Sequence, residues 1–180
     1  PVISSAASDV YKRQRIEYGD RKFNIEKFDL KVEITNALES LRELAKKYNV
    51  ELDFDYAGEA MVESDKSALE QILNNLIGNA IKYSTTSIES KSKIEIKIRK
   101  NEKITRVSVL DQGVGINTEE RKLVFNRFYR TAIARGQSKE GSGLGLAIVK
   151  HLVDQLGGEV GVMPRKKGGS RFWFTVKTAN

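Results

Sequence analysis

The 180-residue sequence contains no cysteine and a single histidine. The first absence excludes a disulfide framework, a thiolate zinc site and a catalytic thiol. The second excludes a metal site built from several histidines. No apolar run approaches the roughly 18 residues that a membrane-spanning helix needs, and no basic-then-apolar start reads as a signal peptide. A P-loop is excluded because no G-x-x-x-x-G-K-[ST] stretch occurs. What is present is the composition of a globular chain, 39% hydrophobic and 31% charged, at a length that fits about one domain. Thirty-one Lys and Arg against 24 Asp and Glu leave a formal charge of +7. That sign suits an anionic partner, and nucleic acid, acidic lipid and nucleotide phosphate all qualify.

Residues 1–14 show no clear period and read as a tail. Residues 15–19 look like a helix stopping at Gly19, and Phe23, Ile25 and Phe28 mark an extended segment after it. Residues 30–48 read as one amphipathic helix and residues 50–56 as an alternating strand. A second helix covers residues 65–83. Two alternating strands, 93–99 and 103–111, are joined by Lys100-Asn101-Glu102. Residues 112–142 are rich in Gly, Arg and Lys, with one short helix starting at Thr118. A strongly apolar helix over 143–156 closes at Gly157-Gly158, and strands over 159–163 and 170–177 complete the chain. This order predicts a sheet covered on one face by about three helices.

The helix over 65–83 is the most informative element. With Asn75 at zero and 100° per residue, Gln71 falls at about −40°, Asn79 at about +40° and Lys82 at about −20°. Leu69, Ile72, Leu73, Leu76, Ile77, Ala80 and Ile81 take the other side, and Gly78 borders the polar stripe. Asparagine is a poor helix-interior residue, so Asn74, Asn75 and Asn79 cost helix propensity that a plain solvated face would not. Amide carbonyls are hard oxygen ligands that suit Mg²⁺, and Lys82 one turn on is placed to meet a phosphate.

On the strand ending at Asp111, Val107, Val109 and Asp111 share a face. A carboxylate buried there needs donors, and the exocyclic amino group of adenine is one. Gly113 and Gly115 would admit a planar ring; the same hexapeptide also fits an aspartate opening a turn. Gly141-Ser-Gly-Leu-Gly-Leu146 leads into the last helix, whose free N–H groups favour phosphate. Its G-x-G-x-G spacing is not a dinucleotide fingerprint. Between the glycine stretches lie Phe125, Arg127, Phe128, Tyr129, Arg130, Arg135 and Lys139, which read as a basic lid anchored by aromatics.

Four stretches together resemble the asparagine, first glycine, phenylalanine and second glycine boxes of bacterial sensor histidine kinases. They are Asn75-Leu-Ile-Gly-Asn-Ala-Ile-Lys-Tyr-Ser84, Asp111-Gln-Gly-Val-Gly-Ile116, Phe125-Asn-Arg-Phe-Tyr-Arg130 and Gly141-Ser-Gly-Leu-Gly-Leu146. The resemblance implies an α/β two-layer sandwich of the Bergerat type: a mixed, mostly antiparallel sheet of about five strands under three helices, with a mobile ATP lid over about residues 113–142. It implies ATP and Mg²⁺ as ligands. By position, Asn79 resembles the Mg²⁺ ligand with Asn75 beside it, Lys82 the phosphate contact and Tyr83 the residue near adenine and ribose. Asp111 is similar to the adenine-reading aspartate, with Gly113, Gly115 and Ile116 shaping the pocket. Phe128 belongs to the phenylalanine box, and Arg130 resembles the lid arginine that reaches the γ-phosphate. Gly141, Ser142, Gly143, Leu144, Gly145 and Leu146 correspond to the phosphate loop. Asn75, Lys82 and Arg130 are expected to serve the reaction itself.

The departure from the family is the phospho-accepting histidine. His151 lies inside the last helix and is followed by Leu152 rather than an acidic residue, so it reads as an ordinary helix residue. Residues 1–22 are therefore expected to be tail plus the end of a preceding dimerisation helix, and residues 23–180 the catalytic domain. The implied partners are a dimerisation domain carrying the histidine and a response-regulator receiver domain. The fragment is expected to be monomeric and its parent a homodimer. The resemblance further implies a cytoplasmic location, and allows a membrane-anchored parent.

Two other readings compete. Related ATPases and serine-directed kinases of the superfamily place a glutamate base where this chain has Asn75, and Glu70 projects toward the apolar side of the wheel. A non-catalytic nucleotide sensor or a nucleic-acid binder is the third class. Lys12, Arg13, Arg15, Arg21, Lys22 and the turn Arg165-Lys-Lys167 carry no interleaved aromatics, so no nucleic acid is expected as a partner.

Overall fold

The structure, a computed structural model, describes residues 21–84, 91–137 and 142–179. The expectations placed on residues 1–20, on Lys139 and on Gly141 lie outside them.

Strand β1 (Glu26–Asp29) leads into α1 (Leu30–Ser40) and α2 (Arg42–Lys47), followed by β2 (Val50–Asp53) and β3 (Met61–Ser64). Helix α3 (Lys66–Tyr83) precedes β4 (Ser92–Lys100) and β5 (Ile104–Leu110). Two short helices, α4 (Thr118–Arg121) and α5 (Ala132–Gln137), come before α6 (Gly145–Gln155), β6 (Val160–Pro164) and β7 (Ser170–Thr178). One seven-stranded sheet runs β1-β3-β7-β5-β4-β2, with β6 beside the first half of β7. Among the described residues only β2 and β4 pair in parallel. The mixed, mostly antiparallel sandwich is as expected, but the sheet has seven strands rather than about five.

The one strand not read from the sequence has a physical reason. Met61–Ser64 is four residues long with one apolar inward residue, Val62, too short for a legible alternation. It exists because β1 and the far end of β7 supply its hydrogen bonds. The helix expected over 30–48 is broken at Leu41. There the Ser40 hydroxyl donates to the Ala37 carbonyl at 2.9 Å, and the Leu41 N–H shares that carbonyl. Such side-chain competition bends a helix. Helix α5 forms inside a segment read as loop, with the Thr131 hydroxyl accepting from the Ala134 N–H at 3.1 Å.

Helices α1, α3 and α6 cover one face of the sheet. Leu69, Ile72, Leu73, Leu76, Ile77 and Ile81 of α3 are buried against it, and each large aliphatic side chain so covered contributes about 2 kcal/mol. Asp65 starts α3: its Oδ1 accepts from the Ala68 N–H at 2.7 Å. The other end is pinned to the sheet through Ser84, whose carbonyl accepts from the Ser92 hydroxyl and whose own hydroxyl accepts from the Gln112 N–H. This holds the polar stripe of α3 at a fixed height above the end of β5.

Candidate nucleotide-binding site

A cavity of about 380 Å³ opens between α3, the end of β5, the segment after it and the start of α6, within the range of small-molecule sites. Its walls bring together Asn75, Asn79, Lys82 and Tyr83 from α3 with Asp111, Gly115 and Ile116. Arg130 and the run from Ser142 through Gly143, Leu144, Gly145 and Leu146 complete it. Thus residues more than 60 positions apart in sequence line one cavity.

Asp111 is only 6% exposed. Its Oδ1 accepts from the Gly113 N–H at 2.9 Å and the Ser170 N–H at 3.1 Å. Both of these main-chain donors fall on the same oxygen, so neither occupies the Oδ2 of this carboxylate. Burial lifts its pKa above the ordinary 3.8, opposed by those two hydrogen bonds and by the charge of Arg165. Arg165 also donates to the Asp111 carbonyl at 2.7 Å and pairs with Glu95 at 3.0 Å. A half-buried cation thus braces the carboxylate from behind, with its guanidinium spent on other acceptors.

At the far end, Asn75 donates its amide N–H to the Gln71 carbonyl at 2.9 Å. That bond fixes the amide, so Oδ1 is turned to the start of α6, where a Cβ on Gly145 would lie 2.7 Å from it. Helix α6 has Leu144 as its N-cap, with no side-chain hydrogen bond to its first turn. Its leading N–H groups therefore lack the acceptor that a Ser, Asp or Asn cap would give, the condition under which a helix start binds phosphate. Ser142 accepts instead from the Leu144 N–H at 3.2 Å. Neutral amide oxygens beside unsatisfied N–H donors fit a cation that shares its shell with phosphate and water. No cluster of three or more His, Cys, Asp or Glu suited to a metal occurs among the described residues.

Some expected residues are placed otherwise. Gly113 does not line the cavity: a Cβ there would lie 2.2 Å from the Tyr83 carbonyl oxygen, so this glycine serves the chain's own packing. Phe128 is 59% exposed, has φ 61° and lies outside the cavity. Arg130 is on the wall, but its Nη2 donates to the Ala134 carbonyl at 2.7 Å. At Gly78, among the described residues, a Cβ would meet nothing within 4 Å. Glu70 is exposed rather than turned to the core, and borders a second hollow with Gln71, Asn74 and Asn75, the last of which also lines the cavity. His151 is half-buried on α6 and absent from the cavity wall.

Sequence reasoning missed Ser170 and Phe172 on β7 and Thr131 and Ala134 in the segment before α6. No motif marks them. Ser170 contributes a backbone N–H, which is independent of side chain, and β7 reaches the site only through its pairing with β5.

The family described as "Histidine kinase-, DNA gyrase B-, and HSP90-like ATPase" matches residues 64–180. The sensor histidine kinase MtrB of Mycobacterium tuberculosis is 37% identical over 142 residues, 78% of this chain and 24% of that protein. SenX3, a sensor-like histidine kinase of the same species, is 30% identical over 174 residues, 97% of this chain and 42% of that protein. The chain thus spans less than half the length of these curated relatives. Among solved structures, the nucleotide-free catalytic domain of histidine kinase ThkA superposes with a TM-score of 0.75 at 28% identity, over 87% of this chain and 97% of that one. No helix among the described residues is long and apolar enough to cross a membrane.

Proposed function

The chain belongs to the histidine kinase-, DNA gyrase B- and HSP90-like ATPase family, and from that premise we propose that residues 23–180 are the catalytic domain of a sensor histidine kinase. The domain binds Mg-ATP and presents the γ-phosphate to a histidine on a separate dimerisation domain. A ring nitrogen of that histidine attacks the γ-phosphorus, the bond to the β–γ bridging oxygen breaks, ADP leaves, and the displaced imidazole proton passes to solvent. The phosphoryl group is then relayed to an aspartate of a response-regulator receiver domain.

The observation that carries this reading is the polarity of the cavity: a buried acceptor, Asp111, at one end and unsatisfied donors at the start of α6 at the other. An adenine nucleotide has the complementary polarity, a donor amino group on the ring and anionic oxygens at the tail. Asp111 selects adenine, because guanine presents a carbonyl at the equivalent place. Asn79 and Asn75 offer amide oxygens to Mg²⁺, which when bound neutralises charge on the transferring phosphate. Lys82, exposed at the cavity edge, adds positive charge beside them. Arg130 reaches the γ-phosphate once it leaves the Ala134 carbonyl. These residues position and neutralise; none forms a bond to phosphorus.

The hydrolytic alternative needs a carboxylate base beside the amide stripe. Asn75 stands at that position, and Glu70 is outside the cavity. Calorimetric titration with Mg-ATP and Mg-GTP tests the proposal. Wild type is expected to bind ATP and discriminate against GTP by tenfold or more, and Asp111→Asn to lose most of that discrimination, in line with about 1–3 kcal/mol for one buried hydrogen-bonding group. Equal binding of the two nucleotides by wild type would overturn the reading.

A further inference from the structure

The face of the sheet turned away from the helices carries more positive charge than its carboxylates neutralise. Its lysines are paired: Lys93 with Asp53 at 2.8 Å, Lys97 with Glu95 at 2.8 Å and Lys177 with Glu63 at 2.5 Å. Arg165 shares Glu95 with Lys97, at 3.0 Å, whereas the strand arginines have no such partner among the described residues. Among the described residues Arg99 and Arg171 form no ion pair, and the Arg106 guanidinium lies 4.3 Å from the centre of the Trp173 ring.

Register fixes their arrangement. Arg99 faces Arg106 across β4 and β5, Ser108 lies between Lys97 and Trp173, and Leu110 lies between Glu95 and Arg171. Two arginines directly opposite each other repel, a cost partly offset for Arg106 by the aromatic ring beside it. Around the short side chain of Ser108 is a hollow of about 50 Å³ with Leu110, Met163 and Trp173 as apolar walls and the three arginines at its rim. Met163 is 48% exposed.

We propose that this hollow and its arginine rim bind an extended acidic segment of a partner protein, one aliphatic side chain entering beside Ser108 and flanking carboxylates meeting Arg99, Arg106 and Arg171. Guanidinium forks match carboxylates bidentately, and apolar walls suit a side chain that an inorganic anion lacks. Nucleic acid fits less well. The Trp173 ring is contacted by the Arg106 guanidinium at 4.3 Å and by Gly161, where a Cβ would come within 2.6 Å of it. No aromatic platform is left for a base. A membrane surface fits less well too, because Glu51 and Asp53 on β2 border the patch beside β4, and it extends only about 14 Å across β4, β5, β7 and β6. The nucleotide cavity lies on the helix side of the sheet, so the proposal does not rest on the reading of that cavity.

Trp173 is the chain's one tryptophan, so its emission reports this surface directly. The test is a fluorescence titration with a synthetic peptide of Asp and Glu residues around a central Leu. Saturable binding is expected, weakened about tenfold in Arg99→Gln/Arg171→Gln. It should change less than about twofold in Lys166→Gln/Lys167→Gln, which removes the same charge from a turn. ATP affinity should be equal in both double variants. Absence of binding to folded wild type, or equal losses in the two double variants, would overturn the proposal. So would tighter binding of tripolyphosphate, single-stranded DNA or phosphatidylglycerol vesicles than of the peptide.

Discussion

Gly145 and Asn75 meet without room for a methyl group: a Cβ at position 145 would lie 2.7 Å from the Asn75 side-chain oxygen. The first residue of α6 is thereby packed against the amide stripe of α3, and any group added there must turn the amide or shift the helix start. Gly145→Ala is therefore expected to weaken Mg-ATP binding about tenfold in calorimetry. Thermal stability should hold within about 1 kcal/mol, because alanine favours the helix by a similar amount. Unchanged affinity would show that the Asn75 amide has no part in the site.

Asp111 gives a pH signature. Its pKa is raised by burial, so the native state holds the proton more tightly than the unfolded chain. The stability this group supplies is complete below its unfolded pKa and is lost as pH rises through the raised native value. Urea denaturation of wild type and Asp111→Asn across acidic pH should therefore show the wild type losing stability relative to the variant over that window. ATP affinity should move the other way, falling on acidification as the acceptor carboxylate is protonated, with onset above the range of an ordinary aspartate. A constant wild-type-minus-variant difference across the window would contradict both expectations.

Asp65 joins the segment before β1 to the helix that carries the amide stripe. One oxygen accepts from the Ala68 N–H and the other from the Asn24 N–H at 2.8 Å, and Arg21 approaches at 3.4 Å. Asp65→Ala removes the helix cap and strands a second donor, so a loss of about 2 kcal/mol is expected in chemical denaturation. A loss below 0.5 kcal/mol, the scale of an ordinary surface change, would show that the cap is dispensable.

Phe128 holds a left-handed backbone conformation, φ 61°, with its ring largely in solvent. For a residue other than glycine that conformation costs about 1–2 kcal/mol. Phe128→Gly is thus expected to leave the chain as stable or about 1 kcal/mol more stable. Affinity for ATP should stay within about twofold. A tenfold loss in affinity would restore Phe128 to the nucleotide site.

Much of the site was legible in sequence because its residues belong to elements with strong periods. The wheel of α3 separated Asn75, Asn79 and Lys82 from the buried leucines and isoleucines, and the alternation of β5 placed Asp111 at the end of a covered face. What was not legible depended on tertiary context. Met61–Ser64 becomes a strand through partners at both chain ends. Ser170 serves Asp111 through a main-chain N–H that no side chain announces. The close packing of Gly113 against the Tyr83 carbonyl is set by where α3 ends relative to β5.

The most direct measurement is a crystal structure of this chain with a non-hydrolysable ATP analogue and magnesium chloride. The predicted result has the adenine amino group within hydrogen-bond distance of Asp111, the metal on the Asn79 amide oxygen, and the phosphates at the start of α6. A nucleotide bound elsewhere, or seated in the cavity with Asp111 and Asn79 both out of contact, would contradict it.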